Sequence, residues 1–188
     1  MLSSQPVATK VHRSPWQLAG WTYLFTMLGF PFHEAAHALV YFLNGTEFFM
    51  TLNRVIPEQE TVVGLLVGPL SSLVLAWCGL WAAASGKLPS AAGLGIALGQ
   101  VFHRPYLHVG MLFFGLTEND EAMAADLLGI PHAALIIPSF LLYTGTLILT
   151  ARHMRANGFS YWTLLAAFVA VAAGVATVLY LDYVIFGM

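Results

Sequence analysis

A pair of histidines one helical turn apart, with a glutamate directly after the first, is the feature of this sequence that most directly suggests chemistry. His33, Glu34 and His37 lie within an apolar stretch that runs from Leu28 to Tyr41. Side chains four residues apart lie on the same face of a helix, so both imidazoles can bind one metal ion. Zinc accepts such a pair of nitrogens, and the adjacent carboxylate could act as general base on a metal-bound water. The spacing therefore predicts two zinc ligands, His33 and His37, and a catalytic base, Glu34.

The composition of the chain argues against a chance pattern on the surface helix of a soluble protein. Of 188 residues, 59% are hydrophobic and 9% are charged, and the mean hydropathy is +0.76. Such a chain is typical of an integral membrane protein. Ionisable side chains inside a membrane-spanning helix are costly, so three of them within one turn indicate a functional site. We expect a multi-pass protein of a prokaryotic cell membrane, with the lipid bilayer and no nucleic acid as a partner.

The predicted fold is an all-α bundle of about five transmembrane helices with a short extended or hairpin segment after the first. A polar N-terminal tail, residues 1–15, precedes one transmembrane domain, residues 16–188. Five apolar stretches are long enough to cross a bilayer, and they cover about residues 16–43, 61–84, 89–116, 132–151 and 161–186. Residues Phe48 to Ile56 alternate between apolar and polar side chains, which indicates a short strand or, equally, an irregular loop at the interface.

The third predicted span changes from apolar to polar along its length. Gly95 and Gly99 form a face suited to close helix packing. Gln100, Arg104 and His108 then follow at steps of four residues, which places them on one side of a helix. Arg104 in a membrane requires a partner, so this side is expected to face the bundle interior. Three partners are possible. Arg104 could contact an acidic residue of the metal site, the backbone of a substrate, or an acidic residue in a structural ion pair that holds two helices together.

A zinc site that contains two histidines needs a third protein ligand and an open position for water. The candidates all lie in or after the late part of the third predicted span, and they are His103, His108, Glu118, Asp120, Glu121 and Asp126. The spacing does not choose among them, although a carboxylate such as Asp120 would temper the charge of the ion. The single cysteine, Cys78, lies in an apolar stretch and offers no thiolate cluster. The candidates and the two histidines are expected in the same half of the bilayer.

Three stretches resemble the site-2 protease-like intramembrane zinc metallopeptidases. They are His33 to His37 in the first predicted span, Gly68 to Ser72 (Gly-Pro-Leu-Ser-Ser) at the start of the second, and Asn119-Asp120 to Pro131 downstream. Together they cover about the first 130 residues. The resemblance implies that Asp120 is the third zinc ligand and that the segment from Phe48 to Ile56 binds substrate as an added strand. Ser72 stands where the family often has asparagine, a residue that positions substrate.

The predicted function is therefore hydrolysis of peptide bonds in membrane-spanning or membrane-associated proteins. Glu34 would accept a proton from the water that zinc activates and deliver it to the leaving amine. Arg104, His108 and Ser72 are candidates for contacts with the substrate or the oxyanion. Three alternatives remain open. They are a zinc hydrolase of a lipid or small amphiphile, a haem-binding redox protein that uses His33 or His37 with His103 or His108, and a non-catalytic scaffold or transporter.

Overall fold

The computed structural model describes residues 14–116 and 119–187, which fold into seven helices and one β-hairpin. The predicted tail, residues 1–15, thus lies almost entirely outside the described residues. The elements are α1 (Pro15–Leu43), β1 (Phe48–Met50), β2 (Val55–Pro57), α2 (Val62–Ala84), α3 (Ser90–Val101), α4 (Arg104–Phe114), α5 (Asp120–Leu128), α6 (Ala133–Ala156) and α7 (Tyr161–Phe186). The prediction of a mostly helical chain with a hairpin after its first helix is confirmed.

Local sequence signals explain where the helices next to the site begin and end. The hydroxyl of Thr61 accepts a hydrogen bond from the backbone N–H of Gly64 and caps the start of α2. The side chain of Asn119 does the same for α5 through the N–H of Ala122. Gly129 ends α5 with a φ of 65°, a left-handed conformation that glycine adopts without steric cost. These caps fix the first turns of the helices that carry site residues.

Helix α3 lies in the centre of the bundle, and its residues are almost all buried. It packs against α1 and α2 through small residues. A Cβ atom added at Gly99 would lie 2.8 Å from the backbone of Phe25 on α1, and one added at Gly95 would lie 2.5 Å from the Cβ of Trp21. The expected packing role of Gly95 and Gly99 is therefore confirmed.

The third predicted span, residues 89–116, is not one continuous helix in the structure. It consists of α3 with 12 residues and α4 with 11 residues, separated at Phe102 and His103. Pro105 explains the break, because a proline ring inside a helix clashes with the carbonyl group four residues earlier, here that of Val101. The helix therefore ends at Val101 and a new one starts at Arg104.

Three helices, α2, α6 and α7, are long and apolar enough to cross a membrane, judged by length and composition. Helix α1 has 29 residues, which is sufficient length, but it is not among these three. Its interior carries His33, Glu34 and His37, which make it less apolar. The structure thus identifies three of the five predicted spans by length and composition.

Candidate metal centre

Both histidines of α1 face the interior of the protein. His33 and His37 have exposed fractions of 7% and 4%, and their Nε2 atoms are 3.0 Å apart. The rings meet edge to face, with centroids separated by 4.7 Å. The helical spacing thus brings the two nitrogens to one point, as the sequence predicted.

Helix α5 brings Asp120 to the same point. One carboxylate oxygen, Oδ2, is 3.2 Å from His33 Nε2, and the other, Oδ1, is 3.6 Å from His37 Nε2. Asp120 is the first residue of α5, so the cap provided by Asn119 sets its position. Within the described residues, His33, His37 and Asp120 are the group of metal-ligating side chains whose donor atoms converge. We refer to these three residues as the ligand cluster.

The outer nitrogens of both imidazoles have partners that orient the rings. Nδ1 of His37 donates to the carbonyl oxygen of Gly64, which leaves Nε2 with a lone pair directed at the cluster. Nδ1 of His33 lies 3.0 Å from the hydroxyl oxygen of Ser72. Hydrogen bonds of this type hold histidine rings in the orientation that a metal requires. Ser72, predicted as a substrate contact, therefore has a direct contact with a predicted ligand.

Gly68 completes the wall behind the two rings. A Cβ atom added there would lie 2.1 Å from Nε2 of His37 and 2.6 Å from Nε2 of His33. No side chain larger than hydrogen fits without moving the imidazoles. Gly68 belongs to the Gly-Pro-Leu-Ser-Ser motif that the sequence showed. Its contact with the two histidines was not predicted.

Glu34, the predicted base, is buried beside the ligand cluster and contacts the hairpin. It is 7% exposed, and its carboxylate lies close to the backbone of Val55 on β2. Both residues line a cavity of about 1280 Å³, together with His33, His37 and Asp120. The cavity is also lined by apolar residues of α7, which include Phe168, Val171, Val175 and Leu179. The site is thus reached from a large and mostly apolar space.

Arg104 lies between the ligand cluster and a second group of polar residues. Its Nη2 is 3.0 Å from Nδ1 of His33, and its Nη1 is 3.8 Å from Asp120 and 4.0 Å from Glu121. Its side chain is buried and lines the cavity. The sequence left three kinds of partner open for Arg104, and the structure shows acidic ones, Asp120 and Glu121.

Glu121 forms the centre of that second group. One carboxylate oxygen accepts hydrogen bonds from His108 at 3.2 Å and from Ser139 at 2.8 Å, and the other accepts from Asn119 at 2.6 Å. Burial alone would raise the pKa of this carboxyl, but the bond from His108, the charge of Arg104 and the bond from Ser139 together hold it below its usual value. We refer to His108, Glu121 and Ser139 as the sealed cluster.

The other candidate ligands that the structure describes lie outside the ligand cluster. His108 is fully buried and does not line the cavity, because it faces Glu121. His103 lines the cavity but stacks on Phe30, with ring centroids 5.5 Å apart. Asp126 is exposed and pairs with His132 at 2.7 Å. Glu118 lies outside the described residues.

Two contacts that the sequence analysis missed involve residues far apart in the chain. Ser139 on α6 reaches Glu121, and Asp182 on α7 reaches Thr51 and Leu52 in the hairpin. Ser139 and Asp182 are polar residues within apolar helices, and such residues require partners in a membrane. This feature of the sequence could have indicated that each one makes a buried contact. Their spacing gave no indication of which partner each one contacts.

Comparison of the chain with family models, with curated proteins and with solved structures finds no match.

Proposed function

We propose that this protein is an intramembrane zinc metallopeptidase, similar to the site-2 proteases, which hydrolyses peptide bonds of membrane-spanning or membrane-associated proteins. The observation that carries the proposal is the convergence of His33, His37 and Asp120 beside Glu34, at the wall of a large cavity. Two imidazoles, one carboxylate and a neighbouring second carboxylate form the ligand and base set that zinc hydrolases use.

The separations within the ligand cluster fit a tetrahedral zinc site. Ligand atoms at about 2.0–2.1 Å from one tetrahedral ion lie about 3.3 Å from each other. The observed separations are 3.0 Å between the two Nε2 atoms, and 3.2 and 3.6 Å from these nitrogens to the Asp120 oxygens. The hydrogen bond from His37 to Gly64 also leaves the correct nitrogen free to bind metal.

The surface of the protein supports its placement in a bilayer. Large apolar side chains are widely exposed, including Trp16 at 76%, Phe114 at 77% and Trp162 at 77%. Water does not tolerate so much exposed apolar surface on a monomer, whereas lipid does. We propose that α1 and the broken α3 and α4 cross the bilayer together with α2, α6 and α7, which gives the bundle five spans.

Glu34 performs the proton transfers in the proposed reaction. Zinc, when bound, supplies an activated water and polarises the carbonyl of the scissile bond. The Glu34 carboxylate takes a proton from the attacking water and passes it to the nitrogen of the leaving amine, so that one peptide bond is replaced by an acid and an amine. Arg104 lines the same cavity and supplies positive charge near the developing oxyanion.

The hairpin supplies a place for the unwound substrate backbone. The backbone N–H of Thr51 donates to the carbonyl oxygen of Arg54, and that of Glu58 donates to the carbonyl oxygen of Glu47. Hydrogen-bonded and non-hydrogen-bonded pairs alternate along an antiparallel ladder. Val55, which lies opposite Met50, is therefore in a non-hydrogen-bonded pair, and its backbone N–H and C=O point away from β1. The free edge of β2 lines the cavity. A substrate strand that pairs there would recover the hydrogen bonds lost when its helix unwinds. The N–H of Val55, which lies close to Glu34, is the donor that such a strand would use.

The decisive experiment compares the wild-type protein with the Glu34→Gln variant. Both would be purified in detergent, analysed for bound metal and incubated with a mixture of labelled peptides that each contain an apolar span of about 20 residues. We expect about one zinc ion per chain in both proteins, cleavage by the wild type and no cleavage by Glu34→Gln. The variant keeps the size of the side chain but cannot accept the proton.

Other outcomes would favour the alternative functions. Hydrolysis of a lipid or small amphiphile that requires Glu34, with no cleavage of any peptide, would identify a different zinc hydrolase. A Soret band and no zinc would identify a haem protein. Unchanged function in the Glu34→Gln variant would identify a scaffold or transporter.

A further inference from the structure

The turn of the β-hairpin is fastened to α7 by one buried carboxylate. Oδ2 of Asp182 accepts a hydrogen bond from the hydroxyl of Thr51 at 3.1 Å, and Oδ1 accepts one from the backbone N–H of Leu52 at 2.8 Å. Asp182 is 6% exposed and Thr51 is 2% exposed. The contact joins segments that are about 130 residues apart in the chain. We call Asp182 and Thr51 the hairpin latch.

Thr51 also organises the turn itself. Its hydroxyl oxygen accepts hydrogen bonds from the backbone N–H groups of Asn53 and Arg54, at 3.3 and 3.1 Å. This turn lacks the glycine or proline that usually defines a tight hairpin connection. The side chain of Thr51 replaces that signal, and Asp182 holds the side chain in place. The turn therefore depends on the latch for its shape.

The helix that carries Asp182 is fixed against α1. A Cβ atom added at Gly174 would lie 2.9 Å from the Cβ of Thr26, so the two helices are in close contact there. The hydroxyl groups of Tyr23 and Thr177 are 3.1 Å apart across the same interface. Helix α1 carries His33, Glu34 and His37. The latch therefore holds the hairpin at a fixed position relative to the helix that carries the site.

The chemistry of Asp182 indicates a role beyond ordinary helix packing. A carboxylate in an otherwise apolar helix, near its C-terminal end, is opposed by the helix dipole and by the surrounding apolar atoms. Charge-assisted hydrogen bonds to the hairpin compensate for this cost. The free edge of β2, which begins only four residues after Thr51, lines the cavity beside Glu34.

We propose that Asp182 is a positioning residue, which through Thr51 and Leu52 holds the β2 edge at the distance from Glu34 that an added substrate strand requires. This inference rests on the proposed peptidase function. Asp182 does not touch the substrate. It sets how tightly an extended peptide backbone is bound, and it leaves the ligand cluster unchanged.

The test uses the full chain in detergent with four variants. Asp182→Ala removes both bonds of the latch, and Thr51→Val removes the hydroxyl while keeping the shape of the side chain. Thr51→Ser retains the hydroxyl and should restore the contact. Thr163→Val is the matched control, because it removes the contact of a buried threonine with Ser160 at the other end of the same helix, which does not involve the hairpin.

Two measurements are made on each protein. The first is hydrogen exchange of the backbone amides of residues 51–56, and the second is the pair of constants KM and kcat for a cleaved peptide. We expect Asp182→Ala and Thr51→Val to raise both the exchange rates and KM by about tenfold or more, with kcat and zinc content unchanged. Thr51→Ser and Thr163→Val should behave like the wild type.

Each other result counts against the proposal. If hydrogen exchange in Asp182→Ala and Thr51→Val is unchanged, Asp182 does not hold the hairpin turn. If hydrogen exchange is faster but KM is unchanged, Asp182 holds the turn but does not position the substrate strand. If Asp182→Ala does not fold, Thr51→Val tests the same bond from the hairpin side. If the wild type cleaves no peptide, the proposed function and the positioning role both fall, while the exchange rates still decide whether the latch exists.

Discussion

Asp120 and Glu121 are neighbours at the start of α5, and each one contacts a histidine, but their surroundings differ. The Asp120 side chain is 22% exposed and lines the cavity. The Glu121 side chain is 3% exposed and lies against His108, which has no exposed surface. Successive residues of a helix point about 100° apart. One turn of α5 thus supplies the open ligand cluster and the sealed cluster at once.

The comparison shows how the same pair of residue types can serve two purposes. In the sealed cluster, both Glu121 oxygens accept hydrogen bonds from surrounding side chains. Such a network fixes α4, α5 and α6 relative to each other. In the ligand cluster, the Nε2 atom of His37 and the Asp120 oxygens face each other with lone pairs, which is a stable arrangement only around a cation or a proton. Arg104 lies near both carboxylates and connects the two groups.

Replacement of each carboxylate in turn should have the largest effect and separates the two roles. We expect Asp120→Ala to lose bound zinc, because one of three protein ligands is removed. We expect Glu121→Gln to keep about one zinc ion per chain, but to lose about 3 kcal/mol of stability, since a buried charged pair is broken. Elemental analysis and thermal denaturation in detergent measure the two quantities. Zinc loss in Glu121→Gln together with retention in Asp120→Ala would reverse the assignment.

The sequence predicted the elements of this site better than its contacts. The apolar run of residues 16–43 corresponds closely to α1 (Pro15–Leu43), because length and composition alone define such a helix. The choice of Asp120 over Glu121 required a resemblance to known proteins, since both residues lie in the same first turn and either could face the histidines. Only the packing of α5 against α2 and α6 determines which one does.

Two features of the fold could not be predicted because they depend on contacts between distant parts of the chain. The alternating pattern from Phe48 to Ile56 indicated extended structure, but the turn inside it depends on Asp182. The polar stripe that includes Arg104 indicated a side facing the interior, but its contact with Asp120 depends on how α4 and α5 lie relative to each other.

Substitution of Gly68 should disrupt the ligand cluster without removing any ligand. In Gly68→Ala the new methyl group would occupy the space of His37 Nε2, from which it would be 2.1 Å away. We expect the affinity for zinc to fall by more than the about 10- to 100-fold that is typical when a supporting contact is lost. Gly145→Ala is the matched control, because an added Cβ on α6 has no neighbour within 4 Å. Zinc titration of both variants tests the prediction, and equal affinities would contradict it.

The two serines that support the clusters provide the finest test of the comparison. Ser72 contacts His33 in the ligand cluster, and Ser139 contacts Glu121 in the sealed cluster. Ser72→Ala should lower zinc affinity by about 10- to 100-fold with little change in stability, because it removes the hydroxyl that helps to orient the ring of one ligand and leaves Arg104 as the contact of its outer nitrogen. Ser139→Ala should lower stability by about 1.5–3 kcal/mol, the value of a hydrogen bond to a charged group, and leave zinc affinity unchanged. If both variants lose affinity and stability in the same proportion, the two clusters act as one network through Arg104, and the distinction between an open and a sealed group no longer holds.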